Sequence, residues 1–269
     1  MKDFVDGYID LFRHASTKDF SPAEYTRFVA IRGEQYNTLE SKDFPRLMII
    51  GRAVNGWDRE NLIYESEDAF AQSAKNCFCD SNRFSSEWHL QSRQNGEYYS
   101  TTADIKYYLS QSPFWNYSKH IWKELVKETE IADELDWLQY IVWSNLYKVS
   151  PRYGGNPNNV LCKTQAPACI AILDAEIRLL KPTHILMPVS DSWFTWRNGD
   201  FSQIFAEGHL DLRELTPKEL LAQRISLDQQ IIKHVFVGES MKVVVTNRPE
   251  RRKQERYVNE VINAFRCTD

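Results

Sequence analysis

With 269 residues, 42% of them hydrophobic and 26% charged, the chain is long enough to bury a large core and is unlike a disordered segment. A formal net charge of −4 excludes a broad electropositive face, so any contact with a nucleic-acid backbone has to be local. No apolar run is long enough for a membrane span, and the amino terminus carries acids among its apolar residues; this predicts no signal peptide, no membrane partner and a cytoplasmic location.

Five cysteines, Cys77, Cys79, Cys162, Cys169 and Cys267, form an odd set without zinc-ribbon spacing, which predicts reduced thiols. Cys77 and Cys79 read as two thiols in a loop rather than a metal clamp, because no second close pair completes a tetrahedral site. No metal and no cofactor are expected. No internal repeat and no Gly/Ser linker divides the sequence. The expectation is a single domain over residues 1–269, with a helical extension at the amino terminus and an aromatic-rich insertion at about 61–138.

The first predicted strand is the apolar run Leu47-Met48-Ile49-Ile50, preceded by Pro45, ended by Gly51 and buried on both faces. Between residues 83 and 122 stand Trp88, Tyr98, Tyr99, Tyr107, Tyr108, Phe114, Trp115, Tyr117 and Trp122. That density suits stacking of unpaired bases, although Tyr107, Tyr108 and the helix from Tyr117 to Val126 have ordinary core spacing. Tyr140 to Trp143 is the second strand, ending at Asn145. Thr164 caps a helix in which Cys169, Leu173, Ile177 and Leu180 recur at helical spacing, and Pro182 stops it. Ile185 to Val189 is the third strand. Val243 to Val245 is the fourth, with Val235-Phe236-Val237 as a hairpin partner across Gly238. A last helix, started with the help of Pro249, carries the stripe Tyr257, Val258, Val261, Ile262 and Phe265.

Strands alternating with helices predict an α/β fold: three layers, α/β/α, around a central four-stranded, mainly parallel sheet with right-handed crossovers. Ligands of such sheets sit beyond the carboxyl ends of the strands. The loops that matter therefore follow Ile50, Trp143, Val189 and Val245.

After the first strand, Gly51-Arg52-Ala53-Val54-Asn55-Gly56-Trp57-Asp58 offers two glycines for close backbone approach to a ligand. After the second, Asn145 presents a donor and an acceptor side by side. That suits a nucleobase edge, or equally an Asx turn closing the strand. Arg248, Arg251, Arg252, Lys253 and Arg256 cluster at the beginning of the last helix, offset only by Glu250 and Glu255. Cations there oppose the helix dipole by roughly 0.3–1 kcal/mol each, so the cluster is either an anion site or a solvated, salt-bridged face.

Taken together, these loops resemble the uracil-DNA glycosylase superfamily, most closely its bacterial and archaeal branch with an iron–sulfur cluster. That branch's Gly-Glu-Ala-Pro-Gly is matched in outline by Gly51-Arg52-Ala53-Val54-Asn55. Its Thr-Asn-x-x-Lys-Cys-x-Pro-Pro followed by Gly-Asn-Arg is matched by Ser144-Asn145-Leu146-Tyr147-Lys148-Val149-Ser150-Pro151 and then Gly155-Asn156-Pro157. The family's next helix is matched by Cys169, Leu173, Glu176, Ile177 and Pro182, and its final His-Pro loop by Arg248-Pro249. The similarity spans residues 46–51, 140–190 and 243–265, and the middle block is its most specific part.

The resemblance implies a protein acting on or binding DNA bases, a divergent N-glycosylase that flips out a modified base and hydrolyses its glycosidic bond. Asn145, with Gly51 and Arg52, would bind the base. Asn55 or Asp58 would position water, and Arg248 would stabilise the leaving base. Arg251, Arg252 and Lys253 would contact the nucleic-acid backbone. The departures favour a catalytically inactive nucleic-acid or nucleotide binder of the same fold. Arg52 stands where the family has its acid and cannot act as a base, and Arg248 replaces the histidine. Val149 occupies a cysteine position and only Cys169 is retained, so no iron–sulfur cluster, which needs about four thiolates, is expected.

Overall fold

The computed structural model describes residues 7, 25–33, 35–53, 99–100, 106–107, 112–133, 137–151, 155–196, 199–206, 210–225 and 231–268. Asn55, Asp58, most of the aromatic-rich insertion and nearly all of the expected amino-terminal helix lie outside them.

Apolar runs dictate the centre of the fold. The strands β3 (Leu47–Gly51), β6 (Ile141–Asn145), β8 (His184–Met187) and β11 (Lys242–Thr246) pair in parallel in the order β6-β3-β8-β11. Leu47, Met48, Ile49 and Ile50 are all 0% exposed, and each such side chain contributes about 1.5–3 kcal/mol by burial. These are the four strands expected from sequence, but among the described residues the sheet has seven. The two-residue β2 (Ile31–Arg32) adds antiparallel to β6, and the long β10 (Ile232–Val237) and short β9 (Arg213–Glu214) extend the other edge antiparallel. The hairpin across Gly238 forms as expected. Separate antiparallel pairs join β1 (Tyr25–Arg27) to β7 (Val149–Pro151), and β4 (Tyr99–Ser100) to β5 (Lys106–Tyr107).

Helices cover both faces, as the alternation of β6 shows. Trp143 points at α1 (Pro113–Val126), its ring centroid 4.9 Å from that of Trp115. The next residue, Ser144, points the opposite way, to Glu176 of α2 (Asn159–Leu180). A short α3 (Pro217–Ala222) opens with a full capping box between Thr216 and Glu219. The last helix, α4 (Gln254–Phe265), packs beside α1, with Tyr117 and Tyr257 ring centroids 5.4 Å apart.

Four boundaries differ from the expectation. Asn158, not Thr164, caps α2: its side chain accepts from Leu161 N at 2.9 Å, while the Thr164 hydroxyl donates back to the Val160 carbonyl inside the helix. Pro249 does not start α4, which begins five residues later; its carbonyl instead closes a turn by accepting from Arg252 N. The second strand starts at Ile141, because Tyr140 ends a 3₁₀ turn, and the third stops at Met187, before Pro188.

Candidate functional site

At the carboxyl edge of the parallel strands, the register sets Gly51 beside Asn145. The pairing continues past both strands, with Leu146 N donating to Gly51 O at 2.8 Å and Tyr147 N to Arg52 O at 2.9 Å. A Cβ on Gly51 would lie 2.4 Å from Asn145 Oδ1 and 3.6 Å from Phe114 of α1. Glycine is therefore required for space, so that the amide of Asn145 can lie against the backbone of β3. Asn145 is 1% exposed, and among the described residues its Nδ2 has no hydrogen-bond partner. A buried donor left unpaired costs about 1–3 kcal/mol, so this one is not explained by stability. The Asx-turn reading of Asn145 does not account for that idle donor.

On the opposite face of β6 a second polar cluster is fully paired. Lys148 Nζ donates to Ser144 Oγ at 2.6 Å and to both carboxylate oxygens of Glu176 at 2.8 and 3.0 Å, and Ser144 Oγ donates to Glu176 at 2.5 Å. The Lys148 and Glu176 side chains are 1% and 0% exposed. Gln165 of α2 accepts from Lys148 N and Val149 N and donates to Val149 O, all within 3.0 Å. Cys169 donates its thiol to the same Gln165 oxygen, and burial pushes that thiol up to about 12. The segment from Ser144 to Val149 is thus strapped to α2 on one side and to β3 on the other. Lys148 and Glu176 stood in the sequence as motif positions, yet nothing in charge or spacing marked them as a buried pair.

Arg52 leaves the end of β3 towards the loop after β8, on the opposite side of β3 from Asn145. Its Nε donates to Val189 O at 2.6 Å, a terminal nitrogen donates to Ser190 Oγ at 2.8 Å, and the guanidinium stands 5.1 Å from the Trp193 ring centroid. The structure therefore brings Gly51 and Asn145 together and directs the side chain of Arg52 away from them. Ser190 has φ +69, donates its N–H to Thr246 O at 2.8 Å and accepts from Arg248 N at 3.4 Å. Its hydroxyl links the loops after β3, β8 and β11.

Arg248 itself is ion-paired with Glu250. Arg251 is exposed with φ +65, and Lys253 is the exposed N-cap of α4, without a side-chain cap. Arg252 is half-buried, its carbonyl accepting from Tyr117 Oη at 2.6 Å. Of the five basic residues, Arg251, Lys253 and, in the first turn of α4, Arg256 are the ones presented to solvent without a described counter-ion.

One cluster at this edge was not foreseen. His234 lies near the start of β10, which runs antiparallel and so begins where its parallel neighbours end. Its Nδ1 is 2.6 Å from Glu214 and its Nε2 2.8 Å from Asp191, the residue after Ser190. Burial pushes the imidazole down, but the two carboxylates together outweigh it and hold His234 above its ordinary value. The three residues are far apart in sequence, so no motif joins them. Each nitrogen already has its own carboxylate, which leaves no shared cation position. Among the described residues no group of three or more His, Cys, Asp or Glu side chains is placed to hold a metal ion. Among them, too, no helix is long and apolar enough to cross a membrane.

Compared with known protein families and with characterised proteins, the chain matches none.

Proposed function

We propose that the chain is a uracil-DNA glycosylase-like protein that receives a single nucleobase between the ends of β3 and β6. The observation that carries this is the Nδ2 of Asn145, a buried hydrogen-bond donor without a partner among the described residues, on an amide whose Oδ1 lies against Gly51 at the edge where parallel α/β sheets take ligands. A base carbonyl or ring nitrogen would satisfy it. DNA would be held through Arg251 and Lys253 in the turn before α4, a local patch compatible with a net charge of −4.

In this reading the protein binds a base more readily than it cleaves one. A guanidinium cannot take a proton from water, and Arg52 spends its donors on Val189 and Ser190. The second reading, a divergent N-glycosylase in DNA repair, uses the same strand ends. It is favoured by the Asn145 amide and needs Asn55 or Asp58 to position water while Arg248 offsets charge on the leaving base.

The test uses labelled single-stranded DNA with and without one deoxyuridine, assayed for binding and for abasic sites, beside Asn145→Ala. Preferential binding of one strand that the variant loses supports the proposal. Equal binding of both strands by parent and variant would remove Asn145 from the site. Rapid uracil release would establish the hydrolase instead.

A further inference from the structure

We infer that Lys148 and Glu176 are positioning residues for Asn145, acting through Ser144; this rests on the base-reading role proposed for Asn145. Ser144 and Asn145 are consecutive at the end of β6 and point to opposite faces, so a rotation of this segment that moves one side chain moves the other. Ser144 Oγ is fixed from both sides, accepting from Lys148 Nζ and donating to Glu176. The ammonium's three protons have three partners, Ser144 Oγ and the two Glu176 oxygens, so the triad has one low-energy arrangement. Gln165 fixes the backbone of Lys148 and Val149, and Leu146 and Tyr147 donate to the end of β3.

Stability does not explain the pair. A buried lysine and glutamate replaced together by apolar residues of similar volume commonly leave a protein as stable as before, or more so. What the apolar pair would not supply is a directional hold on Ser144, and with it the orientation of the Asn145 amide. The ion pair therefore selects one conformation of the turn rather than the folded state as such.

The experiment replaces the triad by Ser144→Ala/Lys148→Met/Glu176→Leu and reads two things. One is solvent exchange of the Asn145 side-chain amide by NMR, the resonance being assigned by its loss in Asn145→Ala. The other is affinity for fluorescein-labelled single-stranded DNA carrying one deoxyuridine, against the same strand with an abasic analogue at that position. The triple variant is expected to unfold cooperatively, to exchange the Asn145 amide faster than the parent and to lose about 10-fold in base-dependent affinity, the worth of one hydrogen bond. Adding Asn145→Ala to it should cost nothing further, whereas a merely structural role would multiply the two losses. Unchanged amide exchange, or multiplicative losses, would overturn the inference. Should the triple variant not fold, Ser144→Ala alone is held to the same two readouts. Should the parent not distinguish the two strands, the base-reading proposal fails, and the exchange rate by itself decides whether the triad holds the amide.

Discussion

A methyl group at Gly51 would stand 2.4 Å from Oδ1 of Asn145, closer than non-bonded atoms approach. Gly51 lies in a parallel strand without a positive φ, so alanine is acceptable to the backbone there, and the substitution acts on the neighbouring amide. Gly51→Ala is predicted to fold, to displace Asn145 and to lower base-dependent DNA affinity by about 10-fold, as the loss of one hydrogen bond would. Binding equal to that of the parent would show that the contact between these residues has no bearing on the ligand.

Arg52→Glu returns an acid to the position where the glycosylases carry one, yet it is predicted not to produce uracil release. The side chain of residue 52 runs to Val189 O and Ser190 Oγ, where a carboxylate would meet a carbonyl oxygen. The expected result is a loss of about 1.5–3 kcal/mol of stability per charged hydrogen bond, read from chemical denaturation, with no abasic sites formed. Uracil excision by this variant would mean that residue 52 reaches the base after all.

Lys148→Met removes one partner of a pair that is 1% and 0% exposed and leaves Glu176 buried without its cation. Such a break typically costs about 3–5 kcal/mol. Lys148→Met/Glu176→Leu is predicted to recover most of that loss, since it strands no charge. Denaturant midpoints of the parent and both variants decide the point, and a double variant as unstable as the single would refute it.

His234 gives the fold a pH dependence whose sign follows from its partners. Its folded value is raised above the ordinary histidine value of about 6.5. The stabilisation is therefore complete below that ordinary value and disappears as pH rises through the raised one. Deprotonation leaves one ring nitrogen as an acceptor facing a carboxylate, either Glu214 or Asp191. Thermal unfolding midpoints should fall as pH increases across this interval, and His234→Gln should flatten that part of the profile. An identical slope in the variant would assign the effect to another group.

The parallel centre of the sheet was legible because β3, β6, β8 and β11 are short apolar runs ended by Gly51, Asn145, Pro188 or a polar turn. The added edges were not: β2 and β9 have two residues each, too few for any periodicity. Thr164 looked like a cap because the helical spacing of Cys169, Leu173, Ile177 and Leu180 follows it, but the helix begins at Asn159 and accommodates Pro167 in its interior. Within the site, Gly51 and Asn145 stood at strand ends and could be read as neighbours. The Lys148–Glu176 pair and the Asp191–His234–Glu214 cluster could not, because ionisable residues read as solvated until the fold shows what surrounds them.

The last prediction concerns DNA binding. Arg251 and Lys253 are exposed around a turn whose backbone is held by Arg252 N on Pro249 O and by Tyr117 on the Arg252 carbonyl, so both can meet phosphates without reordering the chain. Arg248 is already neutralised by Glu250, and its contribution to phosphate binding should be smaller. Affinity for single-stranded DNA is expected to fall as salt rises from about 50 to 200 mM, because each contact releases counterions. Arg251→Glu/Lys253→Glu should weaken binding to uracil-containing and plain strands alike and reduce the slope of log affinity against log salt by about 1.4, roughly 0.7 for each lost contact on a single strand. Arg248→Gln should change that slope less than either single substitution, Arg251→Gln or Lys253→Gln. A salt slope unaltered in the double variant would make these residues a solvated face of the turn, and a larger effect at Arg248 would show that DNA displaces Glu250 from its partner.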